Sequence, residues 1–449
     1  MGAQLTRDLG AFIASLRADT MPAEARATAR MGFIDCIGVM IAGRDEDAPR
    51  ILERALNPGN GKATLYFSGR RASVPEAAWI NATAAHALDF DDVGIGGHPS
   101  TVLVPAIIAE AEELDLTGAE MLTAYVAGYE TWAEMSLREP GSLHSKGWHP
   151  TGIWGAVAAA AACASLRRLD AGQATMAIAL GASQSAGVMA NFGTMTKPFH
   201  AGRAAHAGII SARLAQAGFT ASPDAIEHPQ GLLAAVSPGG IDRESPVRAG
   251  TAWQILEKGL NIKKFPACYC THRAIDGILD LRRDTGFEAQ SIHKIRARVS
   301  DRFATILRNH RPQTGLEAKF SMEFAMASAA LAGRVSLSEL TDDYVRRPEV
   351  QALMERVELD LTQDYDPNHP NAALYDQVHV ELTSGETLDS ARVKYARGHA
   401  ALPLTDQDLE DKFKGCLDYA GVEDGRAAHL FARLGAMESA RARSLGSLN

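Results

Sequence analysis

In residues 1 to about 260, apolar side chains recur at the three- and four-residue spacing of amphipathic helices. The first helix is predicted over residues 5–16 and the second over 23–41, where Gly43 ends it. Further helices are predicted over 75–88, 101–114, 118–135, 151–166, 170–186, 201–217 and 251–256. No segment here alternates apolar and polar residues as a strand does, so this part of the chain predicts a helix bundle.

The pattern changes after Phe265. A helix is predicted over 266–283, followed by alternating, strand-like segments at 292–300, 357–361, 378–385 and 390–396. The last two segments predict a hairpin around Ser384-Gly385, and helices are predicted between the strands over 322–331 and 336–353. A helical pattern returns over 406–417 and 427–441. This order predicts a mainly α protein, in which a large helical domain (1–265 and 403–449) carries an inserted, smaller α+β domain (266–402).

Composition narrows the classes of function. Of the 449 residues, 46% are hydrophobic and 22% charged, which is typical of a folded soluble protein. The net charge of −9 gives no overall attraction for nucleic acid or an anionic membrane, so neither is an expected partner. Five scattered cysteines, no signal peptide and no apolar stretch long enough to cross a bilayer predict a cytoplasmic protein. An anionic ligand would therefore need a local basic cluster.

Four segments place a proline at the start of a predicted helix, where its missing N–H costs nothing. They are His98-Pro99, His149-Pro150, Lys197-Pro198 and Phe265-Pro266. Lys263 and Lys264 precede the fourth proline and His272 follows it, so all four segments carry basic residues. Helix N-termini attract anions, and convergence of these four would form a carboxylate site. Unconnected helix starts remain the alternative.

A second polar feature precedes His98. Asp89, Asp91 and Asp92 follow His86 at the end of a predicted helix, and three carboxylates beside two histidines can bind a divalent metal. No matching second carboxylate cluster is visible in the sequence. A carboxylate can instead orient an imidazole or act as a base, and a solvated helix end is a further alternative. We rank orientation or acid–base work above metal binding, and we expect no metal.

Lys197 lies in an apolar, glycine-bounded segment and is a candidate general base, Schiff-base former or anion anchor, against the alternative of a surface charge. His200 and Arg203 follow three residues apart on the same predicted helix and could bind a second carboxylate. Cys268 and His272 have metal-ligand spacing but lack a third partner. The remaining histidines of interest are assigned by default to the core or the surface: His86, His144, His206, His369 and His399.

Together these segments resemble the MmgE/PrpD family, which includes 2-methylcitrate dehydratase, cis-aconitate decarboxylase and iminodisuccinate epimerase. The matching pieces, in family order, are ALDFDDVGIGGHPS, KGWHPTG, TKPFHAGRAAHAGIISARLAQAGFT, KKFPACYCTHRAID and RGHAALPLTDQDLEDKF. The resemblance implies a large all-α domain completed by the C-terminal segment, with an inserted α+β lid domain. It also implies a homodimer that needs no metal or organic cofactor.

The resemblance carries active-site roles onto particular positions. The family's catalytic residues fall on Asp89, His98, His149, Lys197 and His272, all unchanged in type. Two positions depart from the decarboxylase pattern, because Val93 replaces a threonine and Phe324 aligns with a tyrosine. Losing these hydroxyls weighs against strict cis-aconitate decarboxylation but leaves carboxylate binding and proton transfer intact.

The expected function is a cofactor-free lyase that moves a proton at a carbon next to a carboxylate of a small di- or tricarboxylate. A reaction like that of 2-methylcitrate dehydratase ranks first. The alternatives are an epimerase of a substituted succinate such as iminodisuccinate, a carboxylate-binding protein without turnover and, more weakly, a metal hydrolase. In this interpretation His98 and His149 act as acid and base, Asp89 orients a histidine, and His272 completes the site. Substrate carboxylates are expected on Lys197, Arg203, His200 and Lys264.

Overall fold

The computed structural model describes residues 4–237, 239–367 and 369–446. The chain forms two compact units, of which the first is Met1–Asn261 with Thr405–Asn449 and the second is Ile262–Leu404. The second unit therefore interrupts the first along the chain. Among the described residues, helices predominate and strands are confined to small sheets. The predicted fold class, mainly α with a smaller α+β part, is confirmed.

The first unit is built around one helix rich in small residues. Before the inserted unit its helices are α1 (Leu5–Ser15), α2 (Ala23–Ala42), α3 (Asp47–Leu56), α4 (Val74–Ala87), α5 (Pro99–Leu114), α6 (Gly118–Arg138), α7 (Pro150–Leu166), α8 (Ala171–Ala182), α9 (Thr196–Gln216), α10 (Leu232–Val236) and α11 (Gln254–Glu257). Helix α7 is buried along nearly its whole length and packs against α5, α6, α8 and α9. A Cβ at Gly208 of α9 would collide with Ala159 of α7, so the glycine- and alanine-rich composition reflects close helix packing. None of the described helices has the length and apolar character needed to cross a membrane.

Several short elements of this unit escape sequence reasoning, α10 and α20 (Ala442–Leu445) among them. Helix α3 was not predicted, and the expectation of no strand here was wrong, because β1 (Ala63–Leu65) and β2 (Arg70–Ala72) form an antiparallel hairpin. Strands of three residues are too short to show an alternating pattern.

The second unit is an α+β fold. Its elements are α12 (His272–Thr285), β3 (Ile292–Ser300), α13 (Asp301–Ile306), α14 (Gly315–Ala318), α15 (Met322–Ala332), α16 (Asp342–Val345), α17 (Pro348–Met354), β4 (Val357–Thr362), β5 (Tyr365–Asp366), β6 (His369–Ala373), β7 (Gln377–Leu382) and β8 (Thr387–Asp389). The main sheet has the order β4-β3-β7-β8, with β3 and β4 parallel and the other pairs antiparallel. Val299 of β3 and Val380 of β7 are among its buried residues, and α12 and α15 pack against its strands.

Three predictions for this unit need correction. The hairpin turns at Ser384-Gly385 as expected, but its second strand is β8, and the predicted strand over 390–396 is wrong. The predicted helix over 336–353 is two helices, because Pro348 starts α17 as a separate element. The helix predicted from Pro266 begins only at His272, so the fourth proline does not mark a helix start.

The C-terminal segment completes the first unit. Its helices are α18 (Asp406–Tyr419), α19 (Asp424–Gly435) and α20 (Ala442–Leu445). Lys412 of α18 lies 2.6 Å from Asp35 of α2, and its Nζ donates to the Phe90 carbonyl across 2.8 Å. These contacts fasten α18 both to α2 and to the loop after α4. That loop carries the carboxylates described next.

Candidate active site

Two proline-led helices begin side by side in the first unit. Helix α5 begins at Pro99 and α7 at Pro150, so His98 and His149 are their N-cap residues. The backbone N–H of His98 donates to Thr151 Oγ1 across 3.2 Å, which ties the start of α5 to the first turn of α7. Two histidines and two helix N-termini therefore share one region.

A third helix start joins them through an ion pair. Helix α9 begins at Thr196, so Lys197 lies in its first turn and the expectation that Pro198 starts the helix was wrong by two residues. Lys197 Nζ pairs with Asp89 Oδ1, and both side chains are buried. Asp89 directly follows the end of α4 and has a left-handed backbone, with φ of 52°. Three of the four predicted segments thus converge, with Lys197 among them.

Asp91 binds two imidazoles at once. Its Oδ1 accepts from His86 Nδ1 at 2.9 Å, and its Oδ2 lies 3.0 Å from His98 Nδ1. Burial alone would raise the pKa of Asp91, but electrostatic attraction and hydrogen bonds from the two histidines hold it well below its usual range. Burial lowers the pKa of His86 to about 3, although Asp91 acts in the opposite direction. At neutral pH the pair is therefore an ionised carboxylate and a neutral ring.

The pKa of the adjacent carboxyl group is shifted in the opposite direction. Burial first, and then the charge of Asp35, raises the pKa of Asp92 well above its usual range. Asp92 Oδ2 pairs with Ser100 Oγ, and Ser100 Oγ lies 2.6 Å from the Tyr125 hydroxyl. The Asp92 carbonyl accepts from His98 Nδ1 at 2.9 Å. Through these contacts Asp92 fixes the start of α5 and the ring of His98.

His149 and His200 contact each other through their Nδ1 atoms, 3.1 Å apart. Burial, with the nearby charge of Lys197, lowers the pKa of His149 well below its usual range and that of His200 to about 4. Because both rings are neutral, one Nδ1 must carry a hydrogen and donate it to the Nδ1 of the other ring. We call this hydrogen the shared hydrogen of the two rings. A Cβ at Gly187 would lie 3.1 Å from His200 Cγ and 3.5 Å from His149 Cβ, so glycine leaves space for this contact.

His86, His98, His149 and His200 form one imidazole cluster. The rings of His86 and His98 are centred 4.5 Å apart, and those of His86 and His149 are centred 5.8 Å apart and nearly parallel. His86 Nε2 and His149 Nε2 are buried, and neither has a hydrogen-bond partner among the residues that the structure describes. We call them the two open nitrogens. Neutral imidazoles beside an ion-paired lysine can accept protons and hold a carboxylate.

Comparison with known proteins identifies the family. The MmgE/PrpD N-terminal domain model matches residues 7–244, and the MmgE/PrpD C-terminal domain model matches residues 265–434. The chain belongs to the MmgE/PrpD family. The resemblance drawn from sequence motifs is therefore confirmed over most of the chain.

Relatives within the MmgE/PrpD family have enzyme names. The chain is 29% identical to the cis-aconitate decarboxylase of Homo sapiens, over 75% of this chain and 71% of the relative. It is 24% identical to a cis-aconitate decarboxylase-like protein of Aspergillus oryzae (91% and 90%) and 22% identical to the cis-aconitate decarboxylase of Aspergillus terreus (86% and 84%). The prediction of an MmgE/PrpD-type enzyme is confirmed.

Two residues of this MmgE/PrpD site contact groups that the sequence does not indicate. His86, assigned by default to the core or surface, is buried inside the imidazole cluster. Its position three residues before Asp89, in the last turn of α4, was the signal that could have placed it there. Arg203 contacts other groups, because its Nη1 lies 2.8 Å from His206 Nδ1 and its guanidinium lies over Trp79.

Four residues of this MmgE/PrpD site could hold a metal ion. Ligand atoms of His86, Asp89, Asp91 and His98 lie within 4.8 Å of one another. The Lys197 ammonium already neutralises Asp89, however, and two imidazole nitrogens already bind Asp91. A divalent cation would have to displace these partners. The donor set therefore favours a charge-balanced acid–base cluster.

The other predicted residues lie in the second unit, which the MmgE/PrpD C-terminal model covers. His272 is the first residue of α12, and Nε2 of its buried ring donates to the Ala267 carbonyl across 3.2 Å. The rings of Phe265 and Tyr269 are centred 5.2 and 4.9 Å from it. Lys264 is exposed. Their predicted roles in catalysis and carboxylate binding stay predictions.

The two departures from the decarboxylase pattern take different structural roles. Val93 pairs with Asn261 through both backbone hydrogen bonds, at 2.9 and 2.8 Å. Phe324 is buried in α15, with its ring edge-on to that of Tyr344. Both positions supply an apolar side chain.

Proposed function

We propose that this protein is a cofactor-free lyase that acts on a small di- or tricarboxylate by proton transfer at a carbon next to a carboxylate. The observation that carries the proposal is the imidazole cluster, in which two open nitrogens lie near a buried, ion-paired lysine. Neutral imidazoles suit proton abstraction, and a lysine beside helix N-termini suits carboxylate binding. The cis-aconitate decarboxylases among the relatives support the same substrate class.

The proposal gives each residue a role. A substrate carboxylate, and the charge that develops on it, is held by Lys197 and by the N-termini of α5 and α7. Lys197 then gives up part of its contact with Asp89. His98 and His149 act as the acid and the base. His200 supports His149 through their shared hydrogen, whereas Arg203 reaches a carboxylate only by leaving His206.

Substrate binding itself supplies the acid. In the resting protein His149 and His200 are neutral, because their pKa values lie below the usual range of histidine. A carboxylate dianion brought close to them favours the charged imidazolium and raises both pKa values. In the bound complex one of these two rings can therefore carry the proton that the acid donates, either His149 itself or His200 through the Nδ1 contact between them.

Dehydration ranks first because it uses both groups. The base takes the proton from carbon, the C–H electron pair forms the double bond, and the hydroxyl leaves as water with a proton from the acid. This is a 2-methylcitrate-dehydratase-like reaction. Decarboxylation of cis-aconitate is the second candidate, favoured by the names of the relatives. There the C–C bond breaks, CO₂ leaves and the carbon takes one proton, although Val93 and Phe324 lack the hydroxyls of the decarboxylase pattern.

A carboxylate panel in D₂O, followed by NMR, tests the proposal. We expect 2-methylcitrate or a related hydroxy-carboxylate to give an alkene and water, and Lys197→Ala and His149→Ala to abolish turnover while remaining folded. Loss of CO₂ from cis-aconitate would instead establish the second candidate, and deuterium entry with inversion an epimerase. His429→Gln, at an exposed position of the same unit, is the control. The proposal fails if nothing turns over and Lys197→Ala leaves carboxylate binding unchanged.

The proposal also includes two properties implied by the family resemblance, independence from metal and a homodimer. The same assay after dialysis against a chelator examines the first, because a metal-dependent enzyme would lose its rate. Light scattering during gel filtration examines the second.

A further inference from the structure

His86 is a buried imidazole that the proposed mechanism does not use. Its side chain is 0% exposed, and Nδ1 lies 2.9 and 3.1 Å from the two oxygens of Asp91. The ring lies beside those of His98 and His149, yet Nε2 has no partner among the described residues. One half of the ring is therefore fixed and the other half is open.

The contact with Asp91 decides which nitrogen of His86 carries the hydrogen. An ionised carboxylate only accepts hydrogen bonds, so Nδ1 must be the N–H donor. A neutral imidazole carries one hydrogen, which leaves a lone pair on Nε2. The open nitrogen of His86 is therefore an acceptor, and none of the described residues supplies its donor.

The groups around His86 do not supply that donor. His98 already directs Nδ1 to Asp91 and the Asp92 carbonyl, and Lys197 is paired with Asp89. A buried acceptor without a donor destabilises the protein. A bound molecule that places an O–H at Nε2 removes that destabilisation, whereas a carboxylate oxygen, which has no hydrogen to give, does not.

We propose that His86 is a substrate-contacting residue whose Nε2 accepts a hydrogen bond from a hydroxyl group of the substrate, with Asp91 as its positioning residue. The inference rests on the proposed function and narrows its substrate class to hydroxy-carboxylates. Water can satisfy the same nitrogen, so a substrate without the hydroxyl must leave a water in place or leave the acceptor unpaired. Hydroxyl recognition at a buried acceptor discriminates strongly for this reason.

The test compares two ligands that differ in one hydroxyl. Citrate and tricarballylate carry the same three carboxylates, but only citrate has the hydroxyl. We expect the wild-type protein to bind citrate about tenfold more tightly by calorimetry, the ratio that corresponds to one hydrogen bond of about 1.4 kcal/mol.

Two substitutions separate positioning from recognition. His86→Asn keeps an amide that can donate to Asp91 near the place of Nδ1 but has nothing at the place of Nε2, so the citrate preference should fall to about onefold. His86→Gln extends its amide toward the place of Nε2 and should retain part of the preference. His429→Asn, the matched control at an exposed position, should keep the wild-type ratio.

Each outcome is decisive. Equal wild-type binding of the two ligands, or an unchanged preference in His86→Asn, overturns the inference and leaves the proposed function standing. A citrate preference that depends on His86, without turnover of any panel substrate, supports the inference and rejects the proposed reaction. Binding of neither ligand rejects both. If His86→Asn does not fold, the wild-type ratio and His86→Gln still decide.

Discussion

Asp89, Asp91 and Asp92 lie within four residues of one another and yet have three different environments. Asp89 is neutralised by the Lys197 ammonium, Asp91 accepts from two imidazoles, and Asp92 is paired with Ser100. Burial raises the pKa of Asp92, whereas the two histidines hold the pKa of Asp91 below its usual range. A sequence shows only an acidic segment here, whereas the structure gives its three carboxyl groups different partners and opposite pKa shifts.

The Asp89–Lys197 pair gives a prediction about stability and turnover. Removing one partner leaves the other charge buried, so Lys197→Met and Asp89→Asn should each lower the free energy of unfolding by about 3 kcal/mol. The double variant should recover most of that loss, because no charge is then left unpaired, but it should have no activity. Urea unfolding and the NMR assay measure the two effects. If the single variants were as stable as wild type, burial of one charge would not depend on the other, and the prediction would be wrong.

At the scale of elements, the site depends on how closely loops approach helix starts. Gly187 lies in the loop between α8 and α9, with φ of 133°, and its carbonyl accepts from the His149 backbone N–H at 3.0 Å. The same glycine lies against the His200 ring. A loop that carries no charged group therefore sets the contact between two histidines.

Replacing this glycine should affect chemistry more than stability. In Gly187→Ala the new Cβ would meet His200 Nδ1 at 3.2 Å, so we expect at least a tenfold fall in kcat from displacement of His149 or His200. Gly218→Ala is the matched control, because Gly218 also has positive φ, at 90°, but open space around it. Both variants should lose about 1 kcal/mol of stability from backbone strain. Equal activities in the two variants would contradict the positioning role of Gly187.

At the scale of the whole molecule, the sequence predicts what local patterns encode. Strand β3 matches its predicted bounds because its apolar and polar residues alternate regularly, and α5 and α7 each begin at a proline. The partner of Lys197 is not predictable in this way, since 108 residues separate it from Asp89. The burial of His86 is not predictable from the sequence for a similar reason, since it depends on the packing of α4 against α5 and α9. Recognition of the family supplied residue types, and only the fold supplied their pairing.

The buried titratable groups also make stability depend on pH, with two opposing signs. Burial lowers the pKa of His86 to about 3 and of His200 to about 4, below the usual histidine value near 6.5. Between about pH 4 and 6.5 the unfolded chain therefore binds protons that these folded rings do not. Burial raises the pKa of both Glu112 and Glu130 to about 7, so these folded carboxyls bind protons that the unfolded chain releases above about pH 4.5.

The histidines should dominate on the acid side, because His149, with its pKa well below the usual range, adds to the other two. We expect the free energy of unfolding to fall steadily as pH falls from 6.5 to 4, since the unfolded state gains the extra protons. His86 alone accounts for on the order of 4 kcal/mol of the fall in the free energy of unfolding, at about 1.4 kcal/mol per pKa unit. Urea unfolding at several pH values should therefore show a shallower acid loss in His86→Asn than in wild type. Above pH 5 the raised pKa of Glu130 makes stability fall as pH rises, and Glu130→Gln should remove part of that fall. Parallel curves of stability against pH for wild type, His86→Asn and Glu130→Gln would contradict the assignment of these groups.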